Sequence, residues 1–156
     1  MPRLSRYAGR KRNDSGKRGE AVGGHELRFE ISSCLSALDP LCEKIRRLMA
    51  EQGLEQMQFR VELVARECLN NAIIHGNGER ADKSVIFGLC VGRKWVRLRV
   101  ADQGAGFDWR KVGRRQQPDE KATSGRGLAM ARAYSRRMMF NRQGNQITVW
   151  IRKAVK

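Results

Sequence analysis

Leu27, Phe29 and Ile31 alternate with Arg28 and Glu30, a period of two that predicts a half-buried strand. The period then changes to that of a helix. Leu41, Ile45, Leu48 and Met49 share one face of a helix opened by Ser36 or by Asp39-Pro40, running to about Gln52 and stopped by Gly53. A longer helix is predicted from about Glu55 to His75, ending at Gly76. Its apolar stripe is Val61, Val64, Cys68, Leu69, Ala72 and Ile73. Val85–Val91 and Trp95–Ala101 are β-rich runs joined by Gly92-Arg93-Lys94, a hairpin. Residues 103–124 are rich in Gly, Gln and charge and hold no periodic segment, so they form a functional or disordered loop. A third helix runs from Gly127 to about Arg137. Strands at Met138–Asn141 and Gln146–Arg152 then flank the tight turn Gln143-Gly144-Asn145. The order β-α-α-β-β-loop-α-β-β describes one layered α+β domain.

Residues 1–22 stand apart. They are polar, Gly-bearing and charged, cannot bury enough surface to fold alone, and are expected to form a basic disordered arm. The folded domain is then residues 23–156. At 156 residues with 40% apolar side chains, the chain supports one modest core. No apolar run approaches a membrane span, and the basic N-terminus lacks the apolar region of a secretory signal. Cys34, Cys42, Cys68 and Cys90 form no C-x-x-C pair and sit among apolar neighbours. They read as small core residues in a reducing compartment, which places the chain in the cytoplasm.

Charge changes the expected partners. Thirty-two Lys and Arg against sixteen Asp and Glu give +16, and no acid follows Glu120. The arm contributes seven bases and two acids, so most of the excess lies in the domain. The balance favours acidic partners: nucleic acid, ATP or an acidic protein. Aromatic residues are few and scattered, with no basic stripe interleaved among them, which argues against sequence-specific nucleic-acid binding.

Three motifs carry candidate chemistry. Glu67-Cys-Leu-Asn-Asn71-Ala-Ile-Ile-His-Gly76 closes the second helix, and Glu67 and Asn71, four apart, share a face at the margin of the apolar stripe. An amide oxygen there suits a hard cation such as Mg2+; an ordinary amphipathic helix has the same pattern. Val100-Ala-Asp102-Gln-Gly104-Ala-Gly106-Phe107 follows a strand. Its carboxylate can accept from an exocyclic amine and its glycines let backbone approach a flat ligand, though plain turns share the pattern. Ser124-Gly125-Arg126-Gly127-Leu128 opens the third helix, where glycines free N–H groups for phosphate oxygens. It is neither a Walker A loop nor a dinucleotide fingerprint. His25 reads as an exposed strand-end residue and His75 as a helix C-terminal histidine.

In this order and on these elements, the motifs resemble the N, G1 and G2 boxes of the GHKL ATPase superfamily over nearly all of residues 26–153. Within it the chain most resembles the small bacterial anti-sigma factor serine/threonine kinases of the RsbW/SpoIIAB type. The resemblance implies a Bergerat-type fold: a two-layer sandwich of a mixed or antiparallel sheet covered on one face by three helices. It implies ATP and Mg2+ as cofactors. It casts Asn71 as the Mg2+ ligand, Glu67 as general base and Asp102 as reader of the adenine amine. Gly104 and Gly106 would hinge a lid and admit the base, Gly125 and Gly127 would meet the phosphates, and Arg126 is an optional phosphate contact. Thr148 resembles the threonine that backs the adenine-reading aspartate. The implied activity is phosphorylation of an anti-anti-sigma protein of the STAS fold, with a sigma factor sequestered while the kinase is free, and a homodimer is implied on the same ground.

Two features depart from the family: the high basicity, with Ser135-Arg136-Arg137 where acid is usual, and the arm at 1–22. They bear on the partner and leave the nucleotide site untouched. Two alternatives stay open: a catalytically weak nucleotide-binding partner switch, and the ATPase module of a histidine kinase or DNA-handling machine.

Overall fold

The computed structural model describes residues 26–109 and 126–153. Five strands form one antiparallel sheet: β1 (Glu26–Ser32), β2 (Ser84–Val91), β3 (Trp95–Ala101), β4 (Arg137–Phe140) and β5 (Gln146–Arg152), in spatial order β1-β2-β3-β5-β4. Of the mixed or antiparallel sheets expected, the antiparallel one is found; all four described pairings run that way. Period-two alternation gives the sheet one apolar face. Phe87, Val100 and Ile147 lie in register across β2, β3 and β5, as do Leu89, Leu98 and Val149. All six are buried, and they join the buried faces of the helices in a single core. Each fully buried side chain of this size contributes roughly 1.5–3 kcal/mol.

Helix α1 (Leu38–Glu51) buries Leu38, Leu41, Cys42, Ile45 and Met49. Gly53, at φ +64°, ends it in the left-handed conformation that glycine adopts without a Cβ penalty. Helix α2 (Gln58–Asn70) follows a 3-10 turn and buries Val61, Val64, Ala65, Cys68 and Leu69. Arg46 ties the two helices together through both oxygens of Glu62, each at 2.8 Å. The predicted long helix ends differently from expectation: from Asn71 to Gly76 it widens into a π-helix, with Asn77 N–H donating to the Ala72 carbonyl at 2.8 Å. Such wide turns concentrate at functional sites.

Helix α3 (Arg126–Ala133) is shorter than the predicted run to Arg137. By Arg136 the chain has already joined the sheet, its N–H donating to the Trp150 carbonyl at 2.8 Å, and β4 begins one residue later. The arm at 1–22, His25 and residues 110–124 of the predicted loop lie outside the described residues. None of the four cysteines is in a disulfide; Cys42, Cys68 and Cys90 are buried as expected, whereas Cys34 is half-buried, its Sγ 3.3 Å from Ser36 Oγ. No helix among the described residues is long and apolar enough to cross a membrane.

Candidate functional site

Between the end of α2, the segment after β3, the start of α3 and the β4–β5 turn lies a cavity of about 400 Å3. That is within the range of small-molecule sites. Its walls are largely apolar, with Ala72, Val100, Leu128, Phe140 and Ile147, and its polar lining includes Asn71, His75, Asp102, Asn145 and Gln146.

Asp102 is one of the lining residues. Its Oδ1 accepts the Gly104 N–H at 2.8 Å, while its own N–H donates to the Asn145 carbonyl at 3.0 Å. The carboxylate lies against the π-helix at Gly76, where any Cβ would strike it. Gly104 packs as tightly on the Gly76 carbonyl. Helix end, carboxylate and loop are therefore stacked at distances that only glycine permits. Burial pushes the Asp102 carboxyl above the usual aspartate range; the Gly104 N–H and the nearby Lys83 charge oppose this. With Oδ1 engaged by the backbone, Oδ2 is the oxygen left to accept from a ligand amine.

Glu67 and Gly127 meet beside Asn71, another lining residue. A Cβ at Gly127 would strike the Glu67 Oε2 and come within 3.8 Å of Asn71 Nδ2. The start of α3 thus closes on the two polar residues of α2. The Asn71 Nδ2 is buried without a hydrogen-bond partner. An orphaned buried amide costs about 1–3 kcal/mol, so the site is built for a group from outside the chain. Glu67 is half-buried, and no hydrogen bond or ion pair engages its carboxylate among the described residues. Cys68, between them, lines the cavity with a thiol pushed up to about 12, first by burial and then by Glu67, and is chemically inert there. His75 also lines the cavity.

Two polar clamps that the motif reading missed hold this arrangement. Asn77 is 2% exposed; its Oδ1 accepts the Gln103 N–H at 2.8 Å and its Nδ2 donates to the Ser84 carbonyl at 2.9 Å. Gln103 returns the favour, its Oε1 accepting the Ser84 N–H at 2.8 Å. The second clamp is the β4–β5 turn. Asn141 Oδ1 accepts the N–H groups of Gly144, Asn145 and Gln146 at 2.8, 3.1 and 3.2 Å. Gly144 backs onto Phe107, and Gly106, at φ +78°, packs on the Gln143 carbonyl. Phe107 meets Phe140 edge-on at 5.2 Å, and Trp109 donates from Nε1 to the Asn141 carbonyl at 3.0 Å. The sequence signal for the first clamp is an asparagine between glycines, a pattern common to ordinary turns, whereas Asn141 of the second has no glycine beside it.

Of the predicted site residues, Asn71, Asp102 and Gly106 line one cavity, Gly104 packs against Asp102, and Gly127 packs against Glu67 beside Asn71. The structure does not bring Thr148 there. Alternation in β5 turns Ile147 and Val149 to the core, whereas Thr148 lies in register with Arg99 and Met139 on the opposite face. Ile147 lines the cavity instead. Gly125 and the Arg126 side chain are outside the described residues.

For Mg2+, the Asn71 amide with the nearby Glu67 carboxylate offers hard oxygen donors of the type that ion accepts. Few protein ligands are needed, because Mg2+ keeps several waters and phosphate oxygens. The orphaned amide fits such a role once its oxygen and nitrogen are exchanged, an assignment the hydrogen-bond network alone decides.

No curated protein matches the chain. Residues 31–153 match a family, the histidine kinase-like ATPase domain. That span takes in both strand-bounded motifs, the α2 end and the start of α3, the elements that wall the cavity. The family implies an ATP-binding module of GHKL type, and the chain belongs to the histidine kinase-like ATPase domain family.

Proposed function

We propose that the chain is a protein serine/threonine kinase that phosphorylates an anti-anti-sigma protein of the STAS fold and holds a sigma factor when free, as a homodimer. One observation carries the reading: an unengaged, half-buried Glu67 carboxylate stands one helical turn before Asn71, which lines the same cavity as Asp102, and lies against Gly127 at the start of α3. Phosphoryl transfer needs positioning and charge neutralisation more than covalent chemistry from the protein. On this reading the adenine amine donates to Asp102 Oδ2 while the apolar walls sandwich the base. The triphosphate then runs toward α3, whose N-terminus favours negative charge. Asn71 would hold Mg2+, which when bound neutralises phosphate charge. Glu67 accepts the proton of the incoming serine hydroxyl. Phe107 and Trp109, pinned to the β4–β5 turn, anchor the root of the segment that follows β3 and shelter the cavity from water.

The test is single-turnover transfer from labelled ATP to STAS-fold proteins, with nucleotide affinity measured in parallel. Glu67→Gln is expected to bind Mg-ATP within a few-fold of wild type while losing about 10²–10⁴-fold in transfer. Asn71→Ala is expected to lose both Mg2+-dependent affinity and transfer. Wild-type protein that binds ATP and a sigma factor but transfers no phosphate would make the chain a nucleotide-governed partner switch.

A further inference from the structure

Helices α2 and α3 pack antiparallel, as two contacts at their opposite ends establish. Gly127, near the start of α3, faces Glu67 near the end of α2. Tyr134, just past α3, meets Phe59 near the start of α2 in an edge-on ring contact at 6.4 Å. Between these contacts the two sequences place Leu63 and Met130. Phe59, Leu63 and Glu67 succeed one another at four-residue spacing on one stripe of α2, and Met130 and Tyr134 do the same on α3. The seam therefore reads apolar from its far end until it reaches the Glu67 carboxylate.

Its far end is exposed. Phe59 is 71% exposed, and Met130 and Tyr134 are each 41% exposed. Aromatic pairs left in water beside a functional cleft are the residue types that dominate protein interfaces. Basic side chains outnumber acidic ones around them. Arg60 and Arg132 are exposed on the same two helices, α3 holds no acidic residue, and the chain continues from it through Arg136 and Arg137. Of the two acids that precede Glu67 at this end, Glu62 is engaged by Arg46 and Arg66, and Glu55 is exposed four residues before Phe59. From Phe59 to Glu67 the helix rises about 12 Å, the length of about four extended residues or two helical turns.

We propose that this seam is the docking surface for an acidic polypeptide segment with an apolar anchor. On the kinase reading above, on which this assignment of the occupant rests, the segment belongs to the protein whose hydroxyl is delivered to Glu67. Charge selects the occupant. A second copy of this chain would bring Arg60 and Arg132 against a surface of the same sign, whereas acidic side chains on a partner complement them. The apolar anchor covers Phe59 and Tyr134 and fixes the register along the seam. Docking at one end and chemistry at the other supply the orientation that transfer requires.

The experiment uses the full chain with Mg-ADP bound, and the variants Phe59→Ser and Phe59→Ser/Tyr134→Ser. Both positions are exposed and away from the cavity lining, so unchanged ADP affinity checks that each variant is folded. The first probe is a displayed library of random peptides of about twelve residues, long enough to span the seam. Selected peptides are expected to combine aromatic or aliphatic anchors with Asp and Glu, to bind more weakly as salt rises, and to lose about 30-fold or more in affinity to the double variant. The second probe is a STAS-fold acceptor: KM is expected to rise by a similar factor while kcat stays within about two-fold. Recovery of no peptides, of peptides without acidic residues, or of peptides that bind the double variant equally would overturn the docking surface. So would transfer with an unchanged KM, or a dimer that dissociates on the double substitution, which would make the seam a self-interface. Seam-dependent peptides with no transfer by wild type would overturn the kinase reading and leave the docking surface standing.

Discussion

Replacing Asn77 by alanine tests whether the cavity is held open by the clamp behind it. The side chain is 2% exposed and makes two hydrogen bonds, to the Gln103 N–H at 2.8 Å and to the Ser84 carbonyl at 2.9 Å. Alanine leaves both backbone groups without their partner. Each orphaned group costs about 1–3 kcal/mol when buried, and water drawn into the vacated space recovers part of that. Gln103 lies at an exposed position, so its N–H falls at the lower end. The expected loss is on the order of 2–4 kcal/mol of unfolding free energy. It reaches the ligand as well, because Gln103 adjoins Asp102 and Gly76 adjoins Asn77. Both layers of the stack around the carboxylate lose an anchor, and ADP affinity is expected to fall about ten-fold, or ~1.4 kcal/mol. Urea titration gives the first quantity and calorimetry with Mg-ADP the second, at temperatures where the variant is folded. Asn70→Ala, at a position on α2 outside the cavity lining, serves as control. A loss below about 0.5 kcal/mol, at an unchanged slope against urea, would place Asn77 among ordinary surface substitutions and refute the reasoning.

The other predictions concern Asp102 and the glycines. Asp102→Asn leaves one carbonyl oxygen to serve both the Gly104 N–H and the ligand amine, so ADP affinity is expected to fall by about 1–3 kcal/mol in calorimetry; an unchanged affinity removes Asp102 from the ligand contact. The raised carboxyl of Asp102 fixes a sign with pH. A bound amine favours the ionised form, so affinity weakens as pH falls, starting higher than for an ordinary aspartate. The same buried carboxylate favours the proton in the free fold, so its share of unfolding stability rises over that window. Asp102→Asn should abolish both trends in pH-resolved calorimetry and denaturation. Gly106→Ala combines a φ of +78° with a collision at the Gln143 carbonyl, whereas Gly53→Ala carries only a φ of +64° in open space. Gly53→Ala is expected to cost about 1–2 kcal/mol and Gly106→Ala clearly more; equal losses in urea titration would show that the β4–β5 turn gives way.

What could be read from the sequence were the features that repeat. Alternation in β1, the β-rich runs of β2 and β3 and the stripes of α1 and α2 are sums over many residues, so one exception does not erase them. The end of α3 rests on a single event, the Arg136 N–H turning to the Trp150 carbonyl, and no period announces it. The wide turn at Asn71–Gly76 is hidden for the same reason: a 3.6-residue stripe carried past Asn71 has the same apolar residues whether or not one residue is added to the turn. Thr148 shows the limit of motif transfer. Its residue type fits a hydroxyl partner for Asp102, but the period of two that makes β5 a strand also assigns it to the face away from the cavity.

The glycines show why the motifs were legible while the geometry they serve was not. Each glycine of the second motif is matched to a backbone carbonyl elsewhere: Gly104 to Gly76, and Gly106 to Gln143. Gly127 is matched to a side chain, the Glu67 carboxylate. Seen singly, each is a short-range turn signal. Their common requirement is a long-range one, that four segments distant in sequence converge to van der Waals contact around one cavity. The partners also divide by chemistry. The carbonyl-facing glycines close the fold and fix Asp102, whereas the carboxylate-facing Gly127 brings the mouth of α3 onto Glu67 and Asn71, where the buried Asn71 Nδ2 has no hydrogen-bond partner. Where α3 meets α2, one orphaned amide and one unengaged carboxylate stand together and keep polar capacity for a ligand.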